Sequence, residues 1–203
     1  MIPQIVCRGA VAAVLIGFAL PAAAEPLVGV EAGATIPTSS SRSAADPGAA
    51  IGVNAGYRVE VASWIGLSLL GGGGITLFET KCGSDARICT DDDVTTLLSL
   101  TAGPRLSLRD GDLEVFLGVR GGVYRGVSGG LTETAGGFGL EAGAVYSLVE
   151  GTTAGAFIRR EQVDLRPSRG DADLEFLVIG LGFEHRFAAP PRAVSQPRPR
   201  PEF

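Results

Sequence analysis

Residues 98–109 read Leu-Ser-Leu-Thr-Ala-Gly-Pro-Arg-Leu-Ser-Leu-Arg. Leu98, Leu100, Ala102, Leu106 and Leu108 share one parity, and Ser99, Thr101, Gly103, Arg105 and Ser107 the other. That is the period of a strand with one apolar and one polar face. The alternation extends both ways from this segment, from Leu27 to Phe187. Upstream, Val28, Val30, Ala32, Ala34 and Ile36 oppose Gly29, Glu31, Gly33 and Thr35, and Ile51, Val53, Ala55, Tyr57 and Val59 oppose Gly52, Asn54, Gly56 and Arg58. Downstream, Leu177, Ile179, Leu181 and Phe183 oppose Gly180, Gly182, Glu184 and Arg186. Similar segments around residues 64–78, 113–124, 136–148 and 153–163 bring the expectation to eight strands, each near the ~9–11 residues that a tilted strand needs to cross a bilayer.

The connections alternate in length. Glu60 to Ser63, Asp110 to Asp112 and Glu150 to Thr152 read as tight turns, whereas polar loops are expected near 37–49, 79–94, 125–135 and 164–173. Short turns on one side and long loops on the other mark an all-β, antiparallel up-and-down transmembrane barrel of the bacterial outer membrane. A soluble lipocalin-type barrel is the structural rival. It would want apolar residues inside and charges outside, but here Val, Leu, Ile and Ala form the continuous belt, which in water would be an aggregation hazard.

Composition agrees. The 203 residues include 30 glycines without a three-residue period, and 45% are hydrophobic, which excludes collagen and a disordered chain. The formal charge is −5, with Lys81 the one lysine, so nucleic acid is offered no net basic surface. Residues 1–24 read as a secretory signal peptide: Arg8, the apolar run Gly9 to Leu20, then Ala22-Ala23-Ala24 with cleavage before Glu25. Twelve apolar residues fall short of the ~20 of a membrane helix, and Cys7 lies on the wrong side of the run for a lipoprotein signal. The barrel is assigned to residues 25–187.

The topology and alternation of this stretch resemble the small eight-stranded outer-membrane barrels of the OmpA/OmpX type. The resemblance implies that Leu181, Phe183 and Phe187, at the end of the last strand, form a targeting signal read by the barrel-assembly machinery. It departs from the family at residues 188–203, whose five prolines and three arginines read as an extended periplasmic tail. In longer relatives such a linker leads to a peptidoglycan-binding domain; that anchor function is not carried over.

Sites of chemistry are few. Gly126-Val127-Ser128-Gly129-Gly130 fits G-x-S-x-G, but that motif works at a strand–turn–helix corner with a histidine in reach. It is expected here in a surface loop, far from His185, the only histidine. His185 falls on the outward parity near the periplasmic rim with no serine beside it, and reads as an interfacial structural residue. Cys82 and Cys89 share one loop in an oxidising compartment, so a disulfide is expected. No Cys or His neighbours suggest a metal. Asp91-Asp92-Asp93, with Asp85, reads as a solvated acidic loop that could share divalent ions with lipopolysaccharide. Gly71 to Gly74 interrupts the lipid face of the third strand, where a bend or bulge is expected.

Parity points Glu31, Arg58, Arg105, Glu114, Arg120, Glu141, Arg159, Glu161, Glu184 and Arg186 inward. Five glutamates and five arginines in so narrow a space are expected to pair. The expected function is non-enzymatic and without a cofactor: a barrel closed by its charges, acting through surface loops in envelope integrity, adhesion or surface interaction, with outer-membrane lipid and lipopolysaccharide around it. A small ion-conducting, porin-like channel is the alternative, and a lipid-modifying enzyme a more distant one.

Overall fold

A computed structural model of the chain describes residues 24–38, 45–79, 94–128, 131–164 and 174–188. Eight strands, β1 (Glu25–Pro37), β2 (Gly48–Ala62), β3 (Ile65–Glu79), β4 (Val94–Asp110), β5 (Leu113–Ser128), β6 (Leu131–Val149), β7 (Thr152–Val163) and β8 (Leu174–Arg186), pair in sequence order and close as a barrel, β1 with β8. Every pairing is antiparallel. No helix occurs among the described residues.

The register sets the width. Following paired residues from Glu25 through Arg58, Ser68, Arg105, Gly118, Glu141, Arg159 and Val178 returns to β1 at Thr35, ten residues above the start. With ~3.3 Å per residue and ~4.8 Å between strands, that stagger tilts the strands by about 40° and gives a backbone radius of about 8 Å. Side chains alone fill such an interior.

The outer face carries the apolar parity. Val28, Val53, Leu100, Leu117 and Leu181 are exposed there, Leu100 and Leu181 at 70%. Tyr57, Trp64, Tyr146, Phe183 and Phe187 are exposed near the turn end, where amphipathic rings suit a membrane–water boundary. Gly111 and Gly151, with φ of 61° and 74°, close two of the turns, a conformation that costs a side chain-bearing residue.

Three expectations change. The strands have 12 to 19 residues, longer than one crossing, and the excess gathers at the loop end of β3 to β6. The loop expected at 125–135 is mostly strand: β5 and β6 stay paired up to Ser128 and Leu131, because alternation persists through Tyr124-Arg125-Gly126-Val127. The glycines Gly71 to Gly74 pair in unbroken register on both sides. The two register shifts lie instead beside turns, between Glu60 and Ala62 and between Ser147 and Val149.

Candidate functional site

The site is the interior. All ten charges expected there lie on the inward parity, and their contacts link them into one alternating chain. Arg58 contacts Glu114 at 2.5 Å, Glu114 contacts Arg186 at 3.0 Å, and Arg186 contacts Glu184 at 3.2 Å. Glu184 meets Arg105 at 2.9 Å, Arg105 meets Glu141 at 3.1 Å, and Glu141 meets Arg120 at 2.5 Å. Arg120 lies 3.7 Å from Glu31, Glu31 2.6 Å from Arg159, and Arg159 2.5 Å from Glu161. From Arg58 and Arg186 near the turns, the chain climbs to Glu161 near the top of β7.

Three features hold the chain in place. Arg58 Nη1 also donates to Ser107 Oγ at 3.0 Å, and Ser107 Oγ donates to Gly66 O at 3.2 Å. Phe116 and Phe157, inward on β5 and β7, lie under guanidinium groups: Arg105 is 4.3 Å from the Phe116 ring centre and Arg159 is 5.3 Å from that of Phe157. Cation–π contact suits a desolvated arginine. Finally, Glu141 crosses to the neighbouring strand over Gly118, where a Cβ would lie 2.6 Å from Glu141 Oε1 and 2.8 Å from its Cγ. Glycine clears that path, which connects the glycine-rich inner parity with the space the charges need.

Above Glu161 the interior changes character. Phe78, Leu97, Tyr124, Val163, Phe176 and Val178 are buried in one cluster, with the Phe78 and Phe176 rings edge to face at 5.2 Å. The polar inner face expected throughout thus gives way to an apolar cap at the loop end. A signal existed: alternation fails at Leu77-Phe78, Leu97-Leu98 and Phe176 to Ile179, where both parities are apolar. Beneath the cap, a cavity of about 30 Å³ touches Glu31, Asn54, Arg105, Glu141 and Glu184, and one of about 10 Å³ touches Asn54, Arg120 and Glu141. The first has room for about two water molecules and the second for one at most.

The remaining residues scatter. His185 is outward near the turns. Its Nδ1 lies 2.9 Å from Thr152 Oγ1 and its ring 4.7 Å, edge to face, from that of Phe187, so a threonine stands where no serine was expected. Gly126 to Ser128 belong to β5 rather than to a loop. Leu181, Phe183 and Phe187 are exposed on the outward parity of β8 and just past it. Cys82, Cys89, Asp85 and Asp91 to Asp93 lie outside the described residues, as do residues 1–23 and 189–203.

A closed eight-stranded barrel with a lipid-facing belt invites comparison with membrane proteins. The family model for the outer membrane protein beta-barrel domain matches residues 10–187. The chain belongs to that family. Among solved structures, this outer-membrane barrel is similar to Neisserial surface protein A, at 19% identity and a TM-score of 0.58, over 81% of the chain and 99% of that protein. It also matches Ail, the attachment invasion locus protein of Yersinia pestis, solved with the heparin analogue sucrose octasulfate (13% identity, 79% and 97% coverage, TM-score 0.42). A third match is a major outer membrane protein from Thermus thermophilus (16%, 81% and 100%, TM-score 0.42). None of the curated proteins compared with this barrel is a match. At such identities the shared property is the fold.

Proposed function

We propose that this barrel is a non-enzymatic protein of the Gram-negative outer membrane whose interior is closed, and that its loop-bearing rim does its work in surface interaction, adhesion or envelope integrity. One observation carries the reading: an unbroken alternation of five arginines and five glutamates fills the interior from the turn end upward and stops beneath an apolar cap. Ions would have to break several buried pairs and then cross an apolar layer. In barrels of this membrane the short turns face the periplasm and the longer connections the exterior. That orientation sets Phe183 and Phe187 at the periplasmic end, suited to a terminal signal for the assembly machinery. Leu98, Leu100 and Leu181 would contact lipid and lipopolysaccharide.

Planar-bilayer recording tests the closure. The wild-type protein is expected to insert without steady conductance. Stable ohmic conductance would replace the closed reading with the channel.

A further inference from the structure

A hollow at the turn end opens between the β4–β5 and β6–β7 turns, with a volume of about 480 Å³. Arg109, Asp112, Ser147, Glu150, Thr153 and Arg186 line it. Arg109 Nε donates to Gly111 O at 2.9 Å, which fixes the guanidinium at the rim and leaves its Nη pair without a hydrogen bond among the described residues. Among the described residues the Asp112 carboxylate accepts only a long 3.4 Å bond from the Tyr146 hydroxyl, while its backbone carbonyl accepts from the Ser147 N–H at 2.9 Å. Neither Asp112 nor Glu150 forms an ion pair with Arg109 among the described residues. The left-handed glycines Gly111 and Gly151 hold the turns that carry these charges. At the floor, Thr153 is 3% exposed and its hydroxyl has no hydrogen-bond partner among the described residues.

Inside this barrel opposite charges find one another; in this hollow Arg186 is already engaged by Glu114 and Glu184, while Arg109 and two carboxylates share the space and stay apart. A simple anion would meet Arg109 but also two like charges, and a simple cation the reverse. A molecule carrying both signs satisfies both. We infer that the hollow binds a small zwitterion, with its carboxylate on the Arg109 Nη pair and its ammonium group toward Asp112 and Glu150. Arginine suits the first contact because its fork accepts a carboxylate side on. Two sources share this chemistry, a free amino acid and a short peptide, and they differ in how far apart the charges lie. The site stands at the mouth and is independent of whether the interior conducts, although its periplasmic address rests on the orientation above.

Calorimetric titration of the full chain in detergent, using four probes, tests the site. Alanine places its charges on one carbon and trialanine far apart, while acetate and methylammonium each carry one. The expected result is saturable binding of alanine or trialanine with a Kd on the order of a millimolar, as befits a hydrated rim. Acetate and methylammonium should bind about tenfold more weakly or worse. The tighter zwitterion identifies the source. Arg109→Gln and Asp112→Asn should each weaken it about tenfold while the gel shift between unheated and boiled protein stays unchanged. Acetate binding as tightly as the zwitterions, indifference to both substitutions, or no saturable binding by any probe would overturn the inference.

Discussion

The lower and upper interiors of this barrel fill the same narrow cylinder by opposite means. Below, Arg105, Arg120 and Glu141 exchange contacts of 2.5 to 3.1 Å among inward glycines. Above, Phe78, Leu97 and Phe176 pack as in a soluble core. The lower region is directional: each charge needs a named partner, and losing one leaves the other stranded. The upper region is not directional, and losing a side chain there costs contact and area. The difference teaches that a barrel wall dictates the inner width but not the chemistry that fills it.

The sharpest way to break the comparison is Glu141→Ala. It removes the carboxylate that Arg105 and Arg120 share, buried at 6% exposure, and leaves Arg105 with Glu184 and Arg120 with the more distant Glu31 at 3.7 Å. Breaking a buried pair costs about 3–5 kcal/mol in soluble proteins, and water entering the widened cavity should lessen this. The unfolding midpoint in detergent should fall accordingly, and flickering conductance should appear in bilayers. Adding Arg120→Ala should cost less than the sum of the single losses, because the two residues share one contact. Full additivity would mean the contact contributes nothing.

Leu117→Arg tests the same wall from outside. Leu117 is 66% exposed on the face opposite Gly118. A charge placed on the lipid face near mid-membrane costs about 2–4 kcal/mol. Reversible folding into bilayers should show a loss of that size, while folding yield in detergent changes less. An arginine tolerated there as well as Arg120 is tolerated inside would contradict the assignment of faces.

The upper region gives a smaller effect. Leu97→Ala removes a side chain that is 1% exposed but strands no charge, so a loss of about 2–3 kcal/mol is expected, at the low end of large-to-small core changes, because the cap lies close to solvent at the loop end. Combined with Glu141→Ala it should add, since the two sites share no partner. Strong coupling between them would show that cap and charges form one unit.

How much of this is legible in the chain follows from what alternation encodes. Parity names both faces because a strand's side chains alternate strictly, so Glu31 to Arg186 can be assigned inward from sequence alone. It cannot pair them: Arg159 reaches Glu31 across 128 positions of sequence, and the stagger that joins them is a property of closure. The cap escapes parity for a related reason. Where a strand is apolar on both sides, as at Phe176 to Ile179, parity no longer separates lipid from core. The hairpin at Ser128 and Leu131 reads as a loop because Thr132-Glu133-Thr134 is polar on both parities, and polarity without alternation looks like a loop even when the backbone remains paired.

The smallest effect is expected on the outside. Arg160 and Glu175 form the outward counterpart of the interior pairs: Arg160 Nη2 lies 2.6 Å from Glu175 Oε1, and Arg160 Nε donates to the same oxygen at 2.7 Å. The geometry rivals any contact inside, but the Arg160 side chain is 62% exposed. Water and salt screen such a pair, and exposed pairs contribute about 0–1 kcal/mol. Arg160→Ala should therefore shift the unfolding midpoint in detergent barely beyond error, against the several-fold larger loss at Glu141. The comparison isolates burial from distance, since both substitutions remove short contacts. A loss at Arg160 as large as that at Glu141 would show that contact length, rather than removal from water, governs the strength of these pairs.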